Sequence, residues 1–213
     1  MTAPRPVVAA FDFDGTVSTR DCVVPFTCRA GTAPVAARLG RALPRLLAIV
    51  ARGDRDRLKE ESARAVFAGR SGAELDAAGA EFASFVASSW LRPGTVGRIR
   101  WHQEAGHGVV LVSASFGCYL RPLGERLGVD AVLATELDVG PDGRLTGELV
   151  GGNCRGAEKV RRLHAWLDGR HGGRSLVELW AYGDSAGDRE LLADADHPVW
   201  VRGDLVPVPE VVA

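Results

Sequence analysis

The stretch FDFDGTVS, Phe11 to Ser18, puts two carboxylates one residue apart at the end of an apolar run, just before a Gly-Thr turn. Like charges at a strand end repel one another and are costly to bury unless a cation neutralises them or one carries a proton. Other residues far along the chain can share that environment. Ser113 follows the apolar run Val109 to Val112, Asp184 and Asp188 follow Leu176 to Tyr182, and Lys159 opens an expected helix, Gly156 to Leu167. Of the 26 basic residues only Lys59 and Lys159 are lysines, so an arginine says little about function here and a lysine says more.

These residue types suit phosphoryl chemistry. A carboxylate such as Asp12 can attack phosphorus and form an acyl phosphate, which divides one difficult hydrolysis into two displacements. Asp14, two residues on in an extended strand, points in the same direction and can protonate the leaving oxygen, then deprotonate the attacking water. Asp12 and Asp14, with Asp184 nearby, call for a hard divalent ion, and so few carboxylates completed by water suit Mg²⁺ better than Ca²⁺. Lys159, the Ser113 hydroxyl, Thr16 and the backbone N–H groups after Asp12 and Ser113, that of Ala114 included, would share the charge on the phosphoryl oxygens.

The elements that must bring these residues together read as an α/β fold. Val7 to Phe13, Val109 to Val112 and Leu176 to Tyr182 are apolar runs of strand length. Helical segments, Gly94 to Ala105 and Arg121 to Leu127 among them, lie between them. That alternation predicts a Rossmann-like parallel sheet with helices on both faces, and ligands in such sheets bind beyond the carboxyl ends of the strands.

Residues 21–90 interrupt the pattern without a convincing strand. Their apolar residues recur at helical spacing, as in Leu39, Leu43, Leu46, Leu47 and Val50, then Leu75, Phe82, Phe85 and Val86. Three or four helices are expected there, with breaks near Gly31, Gly53 and Gly69 to Gly72, standing over the Asp12 site as a small inserted α-helical cap. Residues 1–20 and 91–213 then form the α/β core domain. Val23, Val24, Pro25 and Phe26 would line an apolar pocket or pack the first cap helix. Farther on, residues 135–151 read as a β-hairpin around Pro141-Asp142-Gly143, and the end, LVPVPEVVA, as a tail along the surface.

A formal charge of −1 argues against nucleic acid or an anionic membrane as partner. No apolar stretch has the length of a signal peptide or a membrane span, so a cytoplasmic protein without stable membrane insertion is expected. Cys22, Cys28, Cys118 and Cys154 show neither a CxxC pair nor zinc spacing with the five histidines, and are expected to be reduced. The partner is a small-molecule phosphate ester, and nothing in the pattern specifies an oligomer. Lys59 is expected on the cap surface.

The order DFDGT, VLVSAS, GAEKV, YGDSAGD resembles the four motifs of the haloacid dehalogenase superfamily, in its phosphoserine-phosphatase-like branch usually labelled HAD-IB, over nearly the whole chain. The resemblance implies a phosphatase with Asp12 as nucleophile, Asp14 as acid/base and Mg²⁺ ligand through its backbone carbonyl, Asp184 as a side-chain Mg²⁺ ligand, and Asp188 orienting Lys159 or a metal-bound water. It also implies phosphoserine as a substrate, with two departures. Those phosphatases usually carry Glu where this chain has Asp21, and Asn where it has Gly187. Asp21 and a cap arginine, Arg57 for instance, are the candidates for holding the rest of such a substrate. A lipid-linked or secondary-metabolite phosphate, transfer of the phosphoryl group to another acceptor as in a phosphomutase, and a receiver-like switch phosphorylated on Asp12 remain as alternatives.

Overall fold

The computed structural model describes residues 4–30 and 33–205. In chain order it comprises β1 (Val7–Phe11), α1 (Val23–Ala30), α2 (Ala33–Ala51), α3 (Arg55–Phe67), α4 (Gly72–Ser89), α5 (Pro93–Glu104), β2 (Gly108–Phe116) and α6 (Gly117–Leu127). β3 (Ala131–Val139), β4 (Leu145–Val150), α7 (Ala157–His171), β5 (Glu178–Gly183), α8 (Arg189–Asp194) and β6 (His197–Trp200) follow.

The strands form one six-stranded sheet in the order β4-β3-β2-β1-β5-β6, parallel throughout except for the antiparallel β3-β4 hairpin. This is the expected α/β Rossmann-like fold. Alternate residues of the central strands enter different cores. Val8, Ala10, Val110 and Val112 pack with Leu163, Leu167 and Leu191, whereas Ala9, Phe11, Val109 and Leu111 pack with Ile99, Leu120 and Leu123. A parallel sheet covered on both faces needs such uninterrupted apolar strands. The chain builds outward from β1 through β2 to β3 on one side and through β5 to β6 on the other, so β1 marks the point where the strand order reverses. Crevices at the carboxyl ends of strands form at that point.

Two boundaries differ from the sequence reading. β1 stops at Phe11 rather than Phe13, and the chain turns over residues 14–17, with the N–H groups of Thr16 and Val17 donating to Phe13 O. Asp14 therefore owes its direction to a turn and not to strand alternation. β2 continues past Val112 to Phe116, so Ser113 lies inside the strand.

Helices α1 to α4 occupy the interrupting segment. Asp54 and Ser71 cap α3 and α4 by accepting from the N–H groups of Arg57 and Glu74, which places the breaks beside Gly53 and Gly69 to Gly72 as expected. The break expected at Gly31 and most of the proline-rich end lie outside the described residues. α4 comes so close to α6 that a Cβ on Gly79 would sit 2.3 Å from Cys118 O, so only glycine fits there. The α3 end of the segment is also fastened to the hairpin, through Gly69 N–H to Leu145 O, Leu145 N–H to Arg70 O, and the Arg64–Glu148 ion pair. The four cysteines are unpaired, and no helix among the described residues is long and apolar enough to cross a membrane.

Candidate active site

Asp12 is the first residue beyond β1, and its N–H donates to Tyr182 O at 2.9 Å, which ties it to β5. Lys159 lies in the first turn of α7, where its buried ammonium donates to Asp12 Oδ1 at 2.5 Å and to Asp188 Oδ1 at 2.6 Å. Asp188 is held in turn, since its Oδ2 accepts from the N–H and hydroxyl of Ser185 at 2.9 and 2.8 Å. Asp184, just past β5, is exposed and completes a cluster in which one oxygen each from Asp12, Asp184 and Asp188 lie within 4.8 Å of one another.

Burial pushes the Asp12 carboxyl above its ordinary value, and Lys159 pulls it back only in part. Burial also works against the Lys159 charge, but Asp12 and Asp188 outweigh it and hold the ammonium above its usual range. Asp12 is thus raised by burial in spite of the ammonium, whereas Lys159 is raised by the carboxylates in spite of burial. Asp184 is raised too, by burial and by Asp188. Three carboxylates against one ammonium leave excess negative charge, which a hard divalent cation with oxygen-only ligands would neutralise. The residues present therefore fit Mg²⁺. Gly15 leaves the room, because a Cβ there would meet Asp184 Oδ2 at 2.2 Å and its φ of +82° disfavours any side chain.

Asp14 stands apart from that cluster with its side chain; the ligand expected from it was its backbone carbonyl. Its Oδ1 accepts from Cys22 N–H at 3.0 Å and its Oδ2 from the Ser115 hydroxyl at 2.7 Å. Burial, and next the charge of Asp21, push it up to about 6 despite those hydrogen bonds. A carboxyl so placed can carry a proton near neutral pH.

Ser113 is buried beside the site, its Oγ accepting from Ser115 N–H at 3.2 Å. Ala114 O accepts from the Thr135 hydroxyl at 2.9 Å and from the Lys59 ammonium. Thr16, also buried, donates through Oγ1 to Asp184 Oδ1 at 3.3 Å. Asp21 accepts from Val24 N–H at 3.1 Å at the start of α1.

A cavity of about 760 Å³ opens over Asp12, Asp14, Ser113, Lys159, Asp184 and Asp188, with α1 and α3 supplying its far wall. Asp21 lines it, and so do Arg20 and Arg155, which the sequence reading did not single out. Arg57 is exposed on α3 and does not line it. Of the apolar candidates Val23 and Val24 face the cavity, whereas Phe26 is buried against Phe67, Phe82 and Tyr119. Lys59 corrects an expectation, since its ammonium leaves the cap surface, bonds Ala114 O and lies 4.5 Å from the centre of the Phe116 ring. Its rarity was the available signal. Ser115 and Thr135, which organise Asp14 and Ala114, had none.

The family described as haloacid dehalogenase-like hydrolase matches residues 9–193, and the chain belongs to that family. The chain is thus a member of a family of hydrolases. It is 37% identical to protein CicA of Caulobacter vibrioides over 91% of this chain and 85% of that protein. A phosphoserine phosphatase of Streptomyces coelicolor is 31% identical over 89% of this chain and 42% of its own length. A Bordetella pertussis protein of unknown function has a solved structure with TM-score 0.74 and 28% identity, over 90% of this chain and 87% of that one.

Proposed function

We propose that the protein hydrolyses phosphate monoesters through an aspartyl-phosphate on Asp12, with Mg²⁺ as cofactor. The observation that carries this reading is the Lys159 ammonium bridging Asp12 and Asp188 beside Asp184, at the carboxyl end of β1. Asp12, Asp184 and Asp188, with the Asp14 carbonyl, would hold or surround the ion, which when bound neutralises phosphoryl oxygens.

The steps follow from this chain's own groups. A carboxylate oxygen of Asp12 attacks phosphorus as the bond from phosphorus to the leaving oxygen breaks. The proton on Asp14 passes to that oxygen and the alcohol departs. Asp14, now a carboxylate oriented by Ser115 and Cys22, takes a proton from water, whose oxygen attacks phosphorus. The bond to Asp12 then breaks, releasing inorganic phosphate and restoring both aspartates. Lys159 stays cationic throughout and stabilises charge on the transferred group together with Ser113, Thr16 and the Ala114 N–H.

Residues 21–90 act as the cap over the core domain of 1–20 and 91–213, and wall residues from α1 and α3 support this division. The cap then governs the leaving group, since the phosphate site is indifferent to it. Candidate substrates are a small phosphorylated metabolite such as phosphoserine, held by Asp21, or a monoester of an apolar alcohol. The unpaired thiols support a cytoplasmic setting.

The test is phosphate release from a generic aryl phosphate with magnesium present. EDTA and Asp12→Asn are each expected to abolish it, because the amide keeps the shape of Asp12 but cannot attack. Turnover retained by Asp12→Asn would defeat the assignment.

A further inference from the structure

The cavity over Asp12, at about 760 Å³, has the size of a site for a drug-sized ligand, roughly 300–1,000 Å³, and a phosphoryl group fills only its floor. Beyond that floor the wall is largely aliphatic. Val23, Val24 and Thr27 come from α1, and Leu58, Ala63 and Val66 from α3. Ala63 and Val66 are buried, and Val24, 64% exposed, stands where the cavity opens to water.

An amino-acid leaving group makes the opposite demand. Its carboxylate and ammonium lose water on entry and each needs a charged partner within the cavity. The groups that would serve are otherwise engaged, lie off the cavity, or, as with Arg155, stand beside the acidic cluster. Arg57 lies off the cavity. The Lys59 ammonium is turned onto Ala114 O, the Thr135 hydroxyl and the Phe116 ring. Asp21 Oδ1 holds the first turn of α1 through Val24 N–H. Arg20 is stacked 4.9 Å from the centre of the Trp90 ring, and Arg155 packs over Gly187 beside the acidic cluster.

We infer that the substrate is the phosphate monoester of an apolar alcohol, whose hydrocarbon chain lies along Val23, Val24, Leu58, Ala63 and Val66 while its phosphate meets Asp12. This rests on the phosphomonoesterase reading and narrows it. Each methylene that enters such a wall raises kcat/KM by about fourfold, the factor that burial of one methylene supplies. The rise ends where the cavity is filled.

The experiment uses the full chain with magnesium and measures phosphate release from ethyl, butyl, hexyl and octyl phosphate and from O-phospho-L-serine. The expected result is a kcat/KM that climbs by about 250-fold from ethyl to hexyl if all four added methylenes enter the wall, and exceeds that for phosphoserine at hexyl. Val24→Asp, at an exposed position that tolerates the charge, is expected to flatten the climb. Long-chain esters identify the source: hydrolysis of dodecyl phosphate held in phosphatidylcholine vesicles assigns a lipid, and hydrolysis only of the dissolved ester assigns a free alcohol phosphate. A flat series with phosphoserine preferred overturns the inference and leaves the phosphatase reading standing. No phosphate from any ester, aryl phosphate included, overturns both.

Discussion

Lys159 and Asp12, 147 positions apart, meet with Nζ 2.5 Å from Oδ1 in a site where both side chains are almost wholly buried. The same ammonium serves Asp188 at 2.6 Å, so one charge holds both carboxylates in place. Removing one partner of a buried ion pair leaves the others uncompensated, at a cost of about 3–5 kcal/mol. Lys159→Met is therefore expected to lose stability of that order in urea denaturation. It should also lower kcat/KM for an aryl phosphate by about 10²–10³, as loss of a preorganised charge does. A variant that keeps activity within a few-fold would show that Lys159 does not face the phosphoryl group.

Gly15 offers a sharper geometric test, because it holds no chemical group. A methyl there would stand 2.2 Å from Asp184 Oδ2, and the backbone adopts φ of +82°. Gly15→Ala is expected to displace the Asp184 carboxylate and lower kcat by about a hundredfold or more, as small displacements of positioning groups do. A titration of magnesium dependence should show a weaker apparent affinity. Unchanged magnesium dependence would mean that Asp184 does not hold the ion.

The parts of the site that were legible in the sequence share one physical basis. Asp12, Ser113, Asp184 and Asp188 each stand within or beyond an apolar run, and a parallel sheet must gather the carboxyl ends of its strands. Lys159 stood out because this chain uses lysine twice. Lys59 carried the same signal but was assigned to a solvated helix face, since periodicity within a helix does not say which neighbour its flank meets. Asp14 faces the same cavity as Asp12, as expected, but for a different physical reason. Strand alternation ended two residues earlier than the apolar pattern, and the turn at residues 14–17 set the side chain instead. Arg57, chosen by its place in the cap, lies off the cavity, whereas Arg20 and Arg155, hidden among so many arginines, line it.

Lys59 and Thr135 test how α3 is held to the sheet. The Lys59 ammonium is drawn down to about 8 by burial, so its lost hydration is not fully returned by Ala114 O and the Phe116 ring. Lys59→Met, similar in length and uncharged, is expected to change unfolding stability by no more than about 1 kcal/mol. Thr135 is different, because its hydroxyl accepts from the buried N–H of Cys154 at 3.1 Å and lies within reach of Ala114 O and Asn153 Oδ1. Thr135→Val leaves the buried Cys154 N–H without its partner and should cost about 1–3 kcal/mol. If denaturant midpoints show Lys59→Met to be the costlier change, the ammonium and not the hydroxyl fastens α3.

His102 sets a pH dependence away from the acidic cluster. It is fully buried, its Nε2 lies 2.9 Å from the Tyr182 hydroxyl, and its Nδ1 lies 2.8 Å from Nδ1 of His107, so those two nitrogens can share only one proton. Phe11, Trp101 and Trp180 rings enclose it, and Arg98 lies nearby over Trp101 and Tyr182. Burial, then His107 and Arg98, push it down to about 3 from an ordinary 6.5. Between those values the unfolded chain binds a proton that the folded chain refuses, so stability falls as pH drops below about 6.5. His102→Gln cannot titrate. The parent is therefore expected to lose more thermal stability between pH 7 and pH 5 than the variant, measured as Tm in matched buffers. Histidines other than His107, and the carboxylates, contribute equally to both proteins, so the difference between the two slopes belongs to His102 and the His107 ring with which it shares a proton. Parallel slopes would show that this imidazole takes up its proton as readily in the folded protein as in the unfolded chain.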